Sequence, residues 1–108
     1  MNLFFFPFLL MSLMFQRMSN FMSCKLRTFL GEPMGEKCVA FVDGVGRDLA
    51  RSLITCGYDK AYVLLGQFLL MHKKEEEFQM WLRMSFGATR QEAHMIANCL
   101  REWCNSFI

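Results

Sequence analysis

Residues 42–46 read Val42-Asp43-Gly44-Val45-Gly46, with the apolar stretch Val39 to Val42 before them and a helical pattern from Arg47 to Cys56 after them. Glycines let a backbone turn tightly and approach a ligand closely, and the free N–H groups at the start of a following helix can donate to a phosphate oxygen. The stretch therefore has the form of a helix-hairpin-helix loop. Contacts of that kind hold the nucleic-acid backbone and carry no base information. Glycine is also common in ordinary helix-to-helix connections, so the meaning of the loop depends on what flanks it.

On the N-terminal side, residues from Ser23 to Leu30 form a short helix that must end before Gly31-Glu32-Pro33, because the residue preceding a proline avoids the α region. A loop through Gly35-Glu36-Lys37 leads to the hairpin. On the other side, Arg47 to Cys56 is helical and stops at Gly57, a natural residue just past a helix end, with Leu49, Leu53 and Ile54 assigned to one apolar face. Asp59 is the expected N-cap of the next helix, Ala61 to Met71, which is apolar almost all round.

A helix of that kind in so small a chain has more apolar face than one core covers, so part of it is expected to meet another subunit. Gly66 in its middle costs about 1 kcal/mol relative to alanine, and close approach of a second helix is the usual compensation. Tyr62, Leu65, Gly66, Phe68 and Leu69 are the expected dimer contacts. A plain central core helix is the alternative.

Beyond His72-Lys73-Lys74, the acids Glu75, Glu76 and Glu77 occupy a first helical turn, and Phe78, Trp81 and Leu82 follow at i, i+3 and i+4 up to a stop at Phe86-Gly87. Thr89-Arg90-Gln91-Glu92 reads as a capping box that opens the last helix. Its apolar positions are Ala93, Ile96, Ala97, Leu100, Trp103, Cys104 and Phe107. The fold class is all-α, a compact bundle of about five short helices containing a helix-hairpin-helix, in a dimer.

Composition agrees with a single domain. The chain has 108 residues, 54% apolar and 20% charged, with a formal charge of +2. That charge is too small to announce a nucleic-acid binder, so any anion site must be local. Cys24, Cys38, Cys56, Cys99 and Cys104 are odd in number, widely spaced and without a C-x-x-C pair, which suggests free thiols in a reducing compartment. No metal, no cofactor and no catalytic constellation is expected: no nucleophile elbow, metalloprotease helix or phosphate-binding Walker loop is present in the sequence.

Residues 1–22 differ from the rest, with 6 of the 12 Phe and Arg17 as the single charge. The run Leu3 to Phe15 has 13 residues, the length of a signal-peptide core and short of a membrane span. No Lys or Arg precedes it and no small-residue cleavage site follows, so we read it as a leader outside the fold, with translation starting at Met18 or Met22. The domain is then 23–108. A secreted or membrane-attached interaction protein driven by this run is the contrasting possibility.

The motifs Glu32-Pro33-Met34-Gly35-Glu36-Lys37, Gly44-Val45-Gly46, Asp59 through Leu69 and Cys99-Leu100-Arg101-Glu102-Trp103-Cys104 closely resemble the barrier-to-autointegration factor family, without gaps from about Ser23 to Ile108. Phe41-Val42-Asp43-Gly44, Phe68 through Lys73 and Phe86-Gly87-Ala88-Thr89 look more like its barrier-to-autointegration factor-like branch. The resemblance implies a small helical homodimer, not an enzyme, that bridges double-stranded DNA through one hairpin per subunit and receives LEM-domain proteins of the inner nuclear membrane. It also implies residence in nucleus and cytoplasm.

Carried onto this chain, the nucleic-acid-binding residues are Lys25, Arg27, Lys37, Gly44, Gly46 and Arg51, with Arg90 as a partial substitute; Val45 of the hairpin and Arg47, a basic residue where the DNA-binding member has glutamate, complete the expected set. Ser52, Gln91 and His94 stand where the family is basic, and Asp43 is expected to face the same phosphates with a negative charge. Fewer phosphate contacts mean weaker, counterion-driven binding. The first expectation is therefore a non-enzymatic dimer that pairs with itself or with the family's DNA-bridging member, barrier-to-autointegration factor, and regulates it while binding DNA weakly or not at all. The alternative is a direct, sequence-independent DNA-bridging protein of chromatin and the nuclear envelope.

Overall fold

The computed structural model describes residues 23–108. The leader lies outside the described residues. In chain order the elements are α1 (Cys24–Leu30), a 3-10 turn (Val39–Phe41), α2 (Arg47–Thr55), α3 (Ala61–Leu70), α4 (Glu75–Phe86) and α5 (Arg90–Phe107). The architecture is all-α, as the residue pattern implies. The only β-type pairing among the described residues is one isolated bridge, Cys38 to Lys60.

Local chemistry explains most boundaries. Ser23 caps α1, its Oγ accepting the Leu26 N–H at 3.0 Å. Thr89 and Glu92 form the reciprocal capping box at the start of α5, at 3.0 and 2.8 Å. Gly87 ends α4 in the left-handed region at φ 71°, a conformation that costs glycine little.

Two local readings are corrected. The N-cap of α3 is Lys60, without a side-chain cap, and Asp59 sits one residue earlier with its carbonyl accepting the Val39 N–H at 2.9 Å. Ile54 is 45% exposed while Leu49 and Leu53 are buried, because five positions carry it about 140° around the helix from Leu49.

The core gathers around α5, whose Ala93, Ile96, Ala97, Cys99, Leu100, Trp103 and Cys104 are all buried. Phe68 of α3 meets Phe78 of α4 edge-on at 5.0 Å between ring centroids, and Trp81 packs with Tyr58 and Phe86 beside them. Arg101 of α5 grips both carboxylate oxygens of Glu75 at 3.1 and 3.2 Å, fixing the start of α4 against the last helix. The loop before the hairpin is fastened by Trp103, whose Nε1 donates to the Glu32 carbonyl at 3.3 Å. All five cysteines are free, with Cys99 and Cys104 buried and Cys24 and Cys56 exposed. Among the described residues, no helix is long and apolar enough to cross a membrane.

Candidate nucleic-acid interface

The hairpin connects the 3-10 turn to α2, so the short apolar stretch that forms its first arm is a three-residue 3-10 turn. Gly44 turns the chain at φ 95° and lies against α5: a Cβ there would come within 2.9 Å of the Glu92 carbonyl oxygen and of the Met95 Cβ. Only glycine fits such a position. Gly46 is the N-cap of α2 and offers no side-chain acceptor, so the first-turn N–H groups of that helix have no capping side chain. This is the terminus that favours an anion.

Val45 departs from its expected contact role. Its side chain is 2% exposed, its N–H donates to the Val42 carbonyl at 3.1 Å, and its own carbonyl accepts Lys25 Nζ at 2.8 Å. It shapes the hairpin and presents no donor. Lys25 therefore sits at the hairpin itself, although it comes from α1, 20 residues earlier in sequence.

Arg47 and Arg51 are both exposed and four positions apart, hence neighbours on the outer face of α2, opposite Leu49, Ala50 and Leu53. Arg90, Gln91 and His94 are exposed in the first turns of α5, the helix on which Gly44 rests. The fold thus brings Lys25 to the hairpin and starts α2 with Arg47 beside Gly46, while Arg51 lies one turn further on, lining a groove with Ser52, Thr55, Cys56, Ser85 and Phe86. Arg27 is half-buried, with Nη2 3.9 Å from Cys24 Sγ. Lys37 is paired with Glu32 and lies 5.8 Å above the Phe41 ring, on a groove of about 380 Å³ that it shares with Lys25. Its charge is already partly engaged, and an exposed pair of this kind is worth little in stability.

Asp43 overturns the sequence expectation that it opposes phosphates. Its side chain is 6% exposed and accepts the Ser23 hydroxyl at 3.2 Å, so it points inward. Two other acids do sit at the hairpin: exposed Asp48 in the first turn of α2, and Glu92, whose Oε2 would be 3.9 Å from a Cβ on Gly46. The capping-box signature located Glu92 on α5, but its closeness to Gly46 arises from tertiary packing and has no local sequence signal. Beneath the hairpin, burial pushes the Cys99 thiol up to about 12, with the Asp43 carboxylate adding to the shift and an Asp43 backbone hydrogen bond and Lys25 opposing it. Cys99 is accordingly a neutral core residue.

The expected dimer residues divide. Phe68 is fully buried and Leu65 is 8% exposed, so both belong to the core of one chain and are not offered to a partner. Tyr62 and Leu69 are exposed, at 48% and 38%. Gly66 lies between them on half-exposed helix, and a Cβ there would meet nothing within 4 Å.

The family described as "Barrier to autointegration factor" matches residues 20–107. The chain is 48% identical over 86 residues to barrier-to-autointegration factor of Danio rerio, covering 80% of this chain and 96% of the relative. Against the Homo sapiens protein the identity is 46% over 86 residues, covering 80% and 97%. Barrier-to-autointegration factor 1 of Caenorhabditis elegans is 45% identical over the same length and the same shares.

Proposed function

The chain belongs to the barrier-to-autointegration factor family, and from that premise we propose that it is a non-enzymatic chromatin protein that binds double-stranded DNA without regard to sequence and bridges two duplexes as a dimer. The observation that carries this reading is the N-terminus of α2. It has no side-chain cap, it is presented by a hairpin that Gly44 seats on α5, and exposed Arg47 opens the helix with exposed Arg51 one turn further on. Backbone donors together with guanidinium groups suit phosphate oxygens and read no bases.

The dimer forms through the exposed side of α3, around Tyr62, Gly66 and Leu69, and places the two hairpins on separate duplexes. The same surface accepts barrier-to-autointegration factor as a heterodimer partner, and the dimer receives LEM-domain proteins at the nuclear envelope. The protein works in the nucleus and is also present in the cytoplasm.

A second reading has its own support. Glu92 places a carboxylate beside Gly46, and Ser52, Gln91 and His94 supply neither lysine nor arginine. A chain with that balance would act mainly as a regulator of the DNA-bridging relative. Titrating a mixed-sequence duplex with the protein at two salt concentrations separates the two. Submicromolar binding near physiological salt, with a log–log salt slope of several units, supports direct bridging. Binding visible only at low salt supports the regulator.

A further inference from the structure

Asp43 is the sole charged side chain in the buried set of the described residues. Burying a carboxylate is costly unless it is paired or hydrogen-bonded, so its partners indicate what it holds. Its side-chain partner comes from neither arm of the hairpin. It is Ser23, 20 residues away, at 3.2 Å, and the same Ser23 Oγ accepts the Leu26 N–H at 3.0 Å as the cap of α1. Two residues on, Lys25 Nζ reaches the Val45 carbonyl at 2.8 Å. The start of α1 is therefore tied to the hairpin at two adjacent points, Ser23 to Asp43 and Lys25 to Val45, while Gly44 between them rests on α5.

We infer that Asp43 is a positioning residue for DNA binding: from a buried site it anchors the Ser23 end of α1 so that Lys25 is fixed at the hairpin and both meet the phosphate backbone as one unit. The inference rests on the DNA-binding reading above for its functional consequence, though the clamp itself is a property of the free protein. It also reverses the sign that charge alone predicts. A negative charge near phosphates should weaken binding when present, so its removal should strengthen binding. A positioning role predicts that removal weakens binding, because Lys25 loses its fixed place.

The test compares Asp43→Ala and Asp43→Asn with the unmodified chain by amide hydrogen exchange and by anisotropy titration of a mixed-sequence duplex at several salt concentrations. Asp43→Ala should speed exchange of the Leu26 and Val45 amides at least tenfold relative to Leu82 in α4. It should weaken duplex binding severalfold and lower the salt slope by about 1, one phosphate contact. Asp43→Asn keeps an oxygen that accepts from Ser23 and should restore exchange protection and most of the affinity. In a Lys25→Gln background the Asp43→Ala change should produce no further fall in slope.

Unchanged exchange in Asp43→Ala, or tighter binding with an undiminished slope, would overturn the inference. If Asp43→Ala does not fold, a weakening by Asp43→Asn as large as that caused by Lys25→Gln, with exchange still protected, overturns it too. If the unmodified chain does not bind the duplex, the DNA reading fails and the exchange comparison alone decides whether the clamp exists.

Discussion

Gly44 and Glu92 are in backbone contact range: a Cβ on the glycine would fall 2.9 Å from the carbonyl oxygen of the glutamate. The hairpin is thereby seated on the first turn of α5, and the seat tolerates no side chain. Gly44→Ala combines this clash with a left-handed φ of 95°. It should destabilise the domain by about 2–4 kcal/mol, combining strain with overpacking. Gly57 supplies the control, since its φ of 96° is the same and nothing lies within 4 Å of an added Cβ. Gly57→Ala should cost only the strain, about 1–2 kcal/mol. Urea unfolding of both variants measures the difference, and equal losses would show that the hairpin is not seated on α5.

Glu92 has two separable roles, and a conservative substitution distinguishes them. Its Oε1 accepts the Thr89 N–H at 2.8 Å in the capping box, while Oε2 is the oxygen near Gly46. Glu92→Gln retains an acceptor for Thr89 and removes the charge. Stability should fall by only about 0.3–1 kcal/mol, the value of an acid in a first helical turn. Duplex affinity should rise severalfold at low salt, with the gain shrinking as salt screens the charge. Anisotropy titrations across salt check this, and an unchanged affinity would mean that Glu92 does not face the bound phosphates.

How far the sequence discloses this molecule depends on the range of the interaction. Thr89, Gly87 and the i, i+3, i+4 spacing of Phe78, Trp81 and Leu82 act within a turn or two, and the elements they predict are the elements found. Their place in a motif or on an apolar helix gives Asp43, Val45 and Phe68 each an outward role. All three are buried: Asp43 against the Ser23 hydroxyl, Phe68 against Phe78, and Val45 in the hydrophobic core. Nothing in a local pattern says that a carboxylate beside two glycines will find a hydroxyl 20 residues away. The basic residues Arg47 and Arg51 could be placed on the outer face of α2 because a helix repeats every 3.6 residues. Lys25 could be brought to the hairpin only by resemblance.

Adding Lys or Arg at three positions that lack them tests how much of the interface is electrostatic. Ser52→Lys, Gln91→Lys and His94→Arg together place three cations on α2 and the start of α5, where Gln91 and His94 are exposed and Ser52 half-exposed. Each that reaches a phosphate should steepen the salt slope by about 0.9, so the triple variant gains up to roughly 2.7 units. Affinity should rise equally for unrelated duplex sequences, because phosphate contacts carry no base information. A gain confined to one sequence, or no change in slope, would place these positions away from the DNA.

Gly66 tests the dimer. In the single chain an added Cβ at this position meets nothing within 4 Å, so the monomer has room for a larger residue there. Replacing glycine in a helix interior also improves helix propensity by about 0.5–1 kcal/mol. Gly66→Glu should therefore leave the helical circular dichroism and the monomer's fold intact. If a second α3 approaches across the strip between Tyr62 and Leu69, however, the carboxylate is forced into an apolar contact without a partner, a penalty of several kcal/mol and enough to dissociate a micromolar dimer. Sedimentation velocity should show the unmodified chain as a dimer and Gly66→Glu as a well-folded monomer. Gly66→Ala, which adds one methyl and no charge, should weaken association only in part. A Gly66→Glu chain that still sediments as a dimer would move the interface to another face, and would detach the bridging reading from α3.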